Sequence, residues 1–153
     1  MKALKFLTFT LVAVFFASYS NAQTTEQASA RLTEHHTTIK IKSEELQNGT
    51  AKDKKVSVDE MSKHVEGAKK QHALLQKKMT PEQITTTKEH HATIVKHHKI
   101  ITTSTESIKQ ETIKPNPDGA KIKAHAKKIN ESATAAEKEN IEIKKKTVVV
   151  ASK

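Results

Sequence analysis

The chain has 153 residues, no cysteine, and a net charge of +10 with histidine counted as neutral. The missing cysteines exclude disulfide stapling, thiolate metal sites, covalent haem attachment and thiol catalysis. Five aromatic residues, Phe6, Phe9, Phe15, Phe16 and Tyr19, are the whole aromatic content, and all precede Gln23.

The first 22 residues have three parts in a fixed order. Lys2 and Lys5 give a positive start, an apolar run spans Phe6 to Ala17, and small residues stand at Ser20 and Ala22. That is the pattern of a cleaved secretory signal. It predicts export, to a periplasm or the outside, of a chain that starts near Gln23. The run is about 12 residues long, short of the ~20 that cross a bilayer as a helix, so a membrane-spanning protein is not expected.

Without Lys2 and Lys5 the net charge is +8 over 131 residues, the length of one domain. Leu, Ile and Val supply only 23 of those residues. That is below the ~20% level at which a charged chain begins to favour disorder, so patterning must carry the fold.

Four segments have helical periodicity. The first is expected over Thr24 to Gln47, stopped by Asn48-Gly49. The second opens at the capping box Ser57-Val58-Asp59-Glu60 and runs to Met79. The third opens at Thr80-Pro81-Glu82-Gln83, with Pro at the first helical position, and runs to about Thr112. Its threonines, poor helix formers, make Thr85 to Thr87 and Thr102-Thr103 its weakest stretches. Pro115 and Pro117 forbid its continuation. The fourth is expected over Ala120 to Lys146. Residues 23–147 are therefore read as the bundle domain and 148–153 as a C-terminal tail.

Within each segment the inward candidates step by three and four. They are Leu32, His36, Ile39, Ser43 and Leu46, then Val58, Met61, Val65, Ala68, His72, Leu75 and Met79. The third segment gives Ile84, Thr87, His91, Ile94, His98, Ile101, Thr105 and Ile108. The fourth gives Ile122, Ala126, Ile129, Ala133, Ala136, Asn140 and Ile143. Long helices with short links predict an all-α antiparallel four-helix bundle made of two helical hairpins. The second choice is a pair of extended coiled-coil hairpins. Glu34-His35-His36-Thr37-Thr38-Ile39 recurs 55 residues on as Glu89-His90-His91-Ala92-Thr93-Ile94, which is compatible with a duplicated hairpin.

The nine histidines are the residues with distinctive chemistry. His36, His72, His91 and His98 fall on inward stripes, His64 and His125 at their edges, and His35, His90 and His97 on flanks. At ~1.5 Å rise per residue, His36, His72 and His91 reach similar depths, with Glu139 or Asn140 of the fourth helix nearby. Three converging imidazoles suit zinc, copper or nickel. A second layer is expected to join His64 and His125, with Glu60 beside His64. His91 and His98 lie about 10 Å apart along one helix and cannot share an ion. Inward histidines also predict loosening on acidification.

Nothing resembles a nucleophile elbow, a phosphate loop or a zinc-protease helix, so an enzyme is not expected. Nucleic acid is not an expected partner, since the mature chain has one arginine, Arg31, and no aromatic to stack on bases. Met61 and Met79 offer haem ligands, but no aromatic lines a haem pocket. The leading expectation is a non-enzymatic binding protein that takes a divalent transition metal through His36, His72 and His91, with His64, His98 and His125 next. The alternative is a structural, interaction or chaperone-like protein whose Lys-rich faces meet anionic lipid or polysaccharide.

Overall fold

A computed structural model describes residues 24–151, and the expected signal at residues 1–22 lies outside the described residues. Four helices follow in order: α1 (Thr25–Asn48), α2 (Lys54–Lys78), α3 (Pro81–Thr112) and α4 (Gly119–Ala151). Each start has a side chain that satisfies an otherwise unpaired backbone N–H. Thr24 and Thr80 form reciprocal capping boxes with Gln27 and Gln83, and Pro81 takes the first position of α3. Asp118 accepts from the backbone N–H groups of Ala120 and Lys121 at the start of α4.

The start of α2 departs from the sequence reading. The helix begins one turn earlier, where Asp53 accepts from the N–H of Val56 at 3.1 Å. Ser57 is buried within the helix instead of capping it. Both segments offer capping residues, and the earlier one lets Lys54 and Lys55 join the helix at little cost. At the other end of α1, Gly49 adopts φ 74°, the left-handed conformation that terminates a helix, and its N–H donates to the Glu45 carbonyl. α4 continues past Lys146, so residues 148–151, read as part of the C-terminal tail, are helical.

The threonines of α3 do not break it. Thr85, Thr87, Thr93 and Thr102 each donate to the carbonyl four residues back, at 2.6–2.9 Å, so their hydroxyls are satisfied along the helix itself. The turn after α3 is closed by Glu111. Its carboxylate accepts from Lys114 at 2.6 Å and from the N–H of Asp118 at 2.8 Å. These partners, Lys114 first, hold its carboxyl below the usual range.

The helices pack cyclically, α1 on α2, α2 on α3, α3 on α4 and α4 on α1, which puts α1 diagonal to α3 and α2 diagonal to α4. Cross-links show that neighbours are antiparallel: Lys42–Glu60, Lys109–Asp59, His90–Glu139 and Asn140–Ser29 each join an early part of one helix to a late part of its neighbour. The molecule is an all-α antiparallel four-helix bundle. Among the described residues, no helix is long and apolar enough to cross a membrane.

The stripes read from the sequence form the core. Leu32, Ile39, Leu46, Met61, Leu75, Ile94, Ile101, Ile108, Ile122, Ile129 and Ile143 are its largest aliphatic side chains, each under 3% exposed. With no aromatic among them, imidazoles take the remaining volume. One polar tie fixes α1 against α4. Asn140 donates to the Ser29 carbonyl at 2.9 Å and to the Thr33 hydroxyl at 3.0 Å, while its Oδ1 accepts from the Ser29 hydroxyl at 3.1 Å. Asn140→Ala removes the partner of the buried Ser29 hydroxyl and the tie to α1, and is expected to cost about 2 kcal/mol, read from the denaturant midpoint at unchanged slope.

Candidate functional site

Six of the nine histidines meet as three ring pairs, each joining two helices. His36 of α1 and His98 of α3 face each other across the diagonal, Nε2 to Nε2, at 2.9 Å. His72 of α2 and His91 of α3 meet Nε2 to Nδ1 at 2.8 Å. The two pairs touch, because the His72 and His98 rings are in edge-to-face contact with centroids 5.7 Å apart. They make one four-imidazole cluster among α1, α2 and α3. The third pair, His35 with His64, lies outside it on the α1–α2 seam, Nδ1 to Nδ1 at 3.0 Å.

Within each pair one ring donates its N–H and the other accepts, which requires the accepting ring to be neutral. Burial enforces this in the core, where the four rings are at most 4% exposed. Loss of hydration, reinforced by the other imidazoles, pushes His36, His72 and His98 down to about 3 and His91 down to about 4. His35 is lowered by burial and then by its neighbour His64.

Each core ring has one nitrogen not used in these bonds. His36 Nδ1 and His91 Nε2 are buried without a partner. The spare nitrogens of His72 and His98 belong to rings that line a groove of about 440 Å³ between α2 and α3, with Lys69, Gln76, Val95 and Thr102. The α2–α3 interface is the thinnest of the four, which leaves room for this groove beside the cluster.

The predicted layer of His36, His72 and His91 is only partly assembled. His72 and His91 touch, but His36 reaches them through His98, which had been assigned to a different depth. Diagonal helices point their inward side chains at the bundle axis, so His36 and His98 meet end to end. His64 and His125 are not joined. His64 is taken by His35, while His125 lies on the α3–α4 side, lining a cleft with Thr102, Glu106 and Lys121. Glu60 is paired with Lys42 at 3.0 Å rather than set beside His64. Of the two α4 residues at the predicted depth, Asn140 ties to α1, and Glu139 meets His90 Nδ1 at 2.6 Å. Among the described residues no group of three or more His, Asp or Glu is placed to hold a metal ion. The imidazoles act in pairs.

The His35–His64 pair was not expected, since His35 had been placed on a flank. A signal for it was present in Gly67, a glycine inside α2. A Cβ there would lie 2.4 Å from His35 Cε1 and 2.6 Å from His35 Nε2. Glycine inside a helix costs about 1 kcal/mol relative to alanine, and here it makes room for the ring. Comparisons with protein-family profiles, curated proteins and solved structures return no match.

Proposed function

We propose that this chain is an exported, non-enzymatic binding protein that takes a divalent transition-metal ion between imidazoles of neighbouring helices. One observation carries the reading: the three pairs share one spacing, with ring centroids 5.0–5.2 Å apart. Two imidazoles on a tetrahedral ion, with metal–nitrogen bonds of about 2.0–2.1 Å, hold their centroids about 5.2 Å apart. Replacing the shared proton by an ion therefore requires the rings to turn while their centres stay in place. Burial holds the four core rings, and His35, below their ordinary value, toward the neutral state a metal requires. Imidazole selects zinc, copper or nickel over magnesium or calcium. Such an ion supplies a cross-link between helices whose core lacks aromatic residues. A pair gives two ligands, and water or a small exogenous donor fills the other positions.

The test is thermal melting of residues 23–153, followed by far-UV circular dichroism at pH 7.5. The protein is first stripped with chelator and then given zinc, copper(II) or nickel. A ligand at 100 times its dissociation constant adds about 2.7 kcal/mol to stability, a rise of several degrees. A melt indifferent to all three metals overturns the reading. Binding that ignores histidine substitutions but collapses between low and moderate salt supports instead the Lys-rich faces meeting anionic lipid or polysaccharide.

A further inference from the structure

We infer that the site at which this protein exchanges metal with solvent is the His35–His64 pair on the α1–α2 seam, an open two-imidazole clip for copper(II) or a similar divalent ion, held in register by Gly67. The inference rests on the metal-binding reading and locates it outside the central cluster.

Exposure distinguishes this pair from the other two. The core rings are almost fully buried, in surroundings that reject positive charge, and an incoming dication meets the same penalty as a proton. Lys40 and Lys69 also act on His36 and His98 with the wrong sign for a cation. His35 and His64 are half-buried, so an ion between them keeps part of its water. Glu34 supplies a nearby negative charge to His35, opposed by Arg31.

The geometry specifies which atoms bind. His35 Nδ1 and His64 Nδ1 already face each other at 3.0 Å. Nitrogens on adjacent corners of a square-planar ion are about 2.8 Å apart, and those on a tetrahedral ion about 3.3 Å, for bonds near 2.0 Å. The observed separation lies between the two, so the nitrogens need to shift by only a few tenths of an ångström. The rings must also turn by about half a right angle, to bring both lone pairs onto one point.

Gly67 determines where that point is. The His35 ring lies against its backbone, with Cε1, Nε2 and Nδ1 all within 3.0 Å of where a Cβ would stand. Its Cε1–Nε2 edge lies over Gly67, and Nδ1 is the nitrogen that meets His64, nearly one turn earlier on the same helix. A methyl group at position 67 displaces the ring without removing either ligand.

The experiment is a titration of chelator-stripped residues 23–153 with copper(II) chloride at pH 7.5. Affinity is read by calorimetry, and the number of bound nitrogens by electron paramagnetic resonance. Circular dichroism confirms that each variant is folded. Copper is chosen because it binds nitrogen donors most strongly in its series. The wild type is expected to take up a first equivalent with two histidine nitrogens. His35→Ala or His64→Ala should weaken that step at least tenfold and leave one bound nitrogen. Gly67→Ala should weaken it several-fold with the helix signal retained. His36→Leu with His98→Leu removes the central pair and tests the alternative location. If the first equivalent is untouched by His35→Ala and His64→Ala but lost in the His36/His98 variant, metal binding stands and this site falls. If the wild type binds no copper at all, both fall.

Discussion

Lowering the pH from 7.5 to 4.5 is expected to unfold the bundle, with helix loss starting near pH 6 and half complete near pH 5. The sign follows from the core imidazoles. In the unfolded chain His36, His72 and His98 titrate at their ordinary value of 6.5, and in the bundle only near 3. The unfolded state therefore binds more protons throughout that window, and stability falls as pH drops through it. Three such groups remove about 4 kcal/mol per pH unit below 6.5, against a total stability of about 5–15 kcal/mol for a domain. His91 adds loss in the same direction.

The charges that face these rings reinforce the effect. Lys40, His35 and His97 act on His36, Lys69 and His97 on His98, and His90 on His91, all opposing protonation. Carboxylates contribute in a lower window. Glu66, Glu111 and Glu142 are lowered from 4.5 by lysine partners, and Asp118 from 3.8 by backbone hydrogen bonds, so their stabilising effect is lost only below those values. Far-UV circular dichroism against pH, with proton uptake measured across the transition, separates the two windows. Helix content and melting temperature unchanged between pH 7.5 and 4.5 would show that the core imidazoles accept protons without penalty.

Much of the architecture is readable from periodicity. The stripe from Leu32 to Leu46 is buried at each predicted position, as are the stripes of α2 and α4, and α3 departs only at Ile84, which is half-buried. A three-and-four spacing specifies a face without knowledge of the partner, so it survives weak hydrophobicity. The pairings were not readable in this way. Depth along a helix axis can be counted from its ends, but it does not say which helices are diagonal. That is why His36 was set opposite His72 and His91 instead of His98. The early start of α2 was hidden because the capping box at Ser57-Val58-Asp59-Glu60 placed the start there, whereas Asp53 takes the cap in the structure. His35 was assigned to a flank because adjacent positions on a helix diverge by about 100°. That argument treats the neighbouring helix as a smooth surface and overlooks the hollow that Gly67 leaves in it. The repeat carries some of this information. In both copies the second histidine, His36 or His91, points inward, and the first reaches the next helix, His35 to His64 and His90 to Glu139.

Replacing His36 and His98 together by leucine is expected to leave the bundle at least as stable as the wild type at pH 7.5, within about 1 kcal/mol. At pH 5.5 it should be more stable by about 3 kcal/mol, because two of the three strongly shifted rings are gone. The single change His36→Ala should cost about 3 kcal/mol at pH 7.5. It opens a cavity among three helices and strands His98 Nε2 in the core, where an unpaired polar atom is costly. The contrast arises because a buried hydrogen bond adds little net stability, whereas losing one partner exposes the full desolvation penalty of the other. Denaturant melts of the two single leucine variants and the double at both pH values give the coupling between the rings. A double variant that loses the sum of its singles at pH 7.5 would show that the 2.9 Å contact carries no coupling. A double variant that gains nothing at pH 5.5 would transfer the acid response to His72 and His91. The expected result, neutral at pH 7.5 and protective at 5.5, makes the central pair an acid-sensitive element that the bundle does not need for its stability at neutral pH.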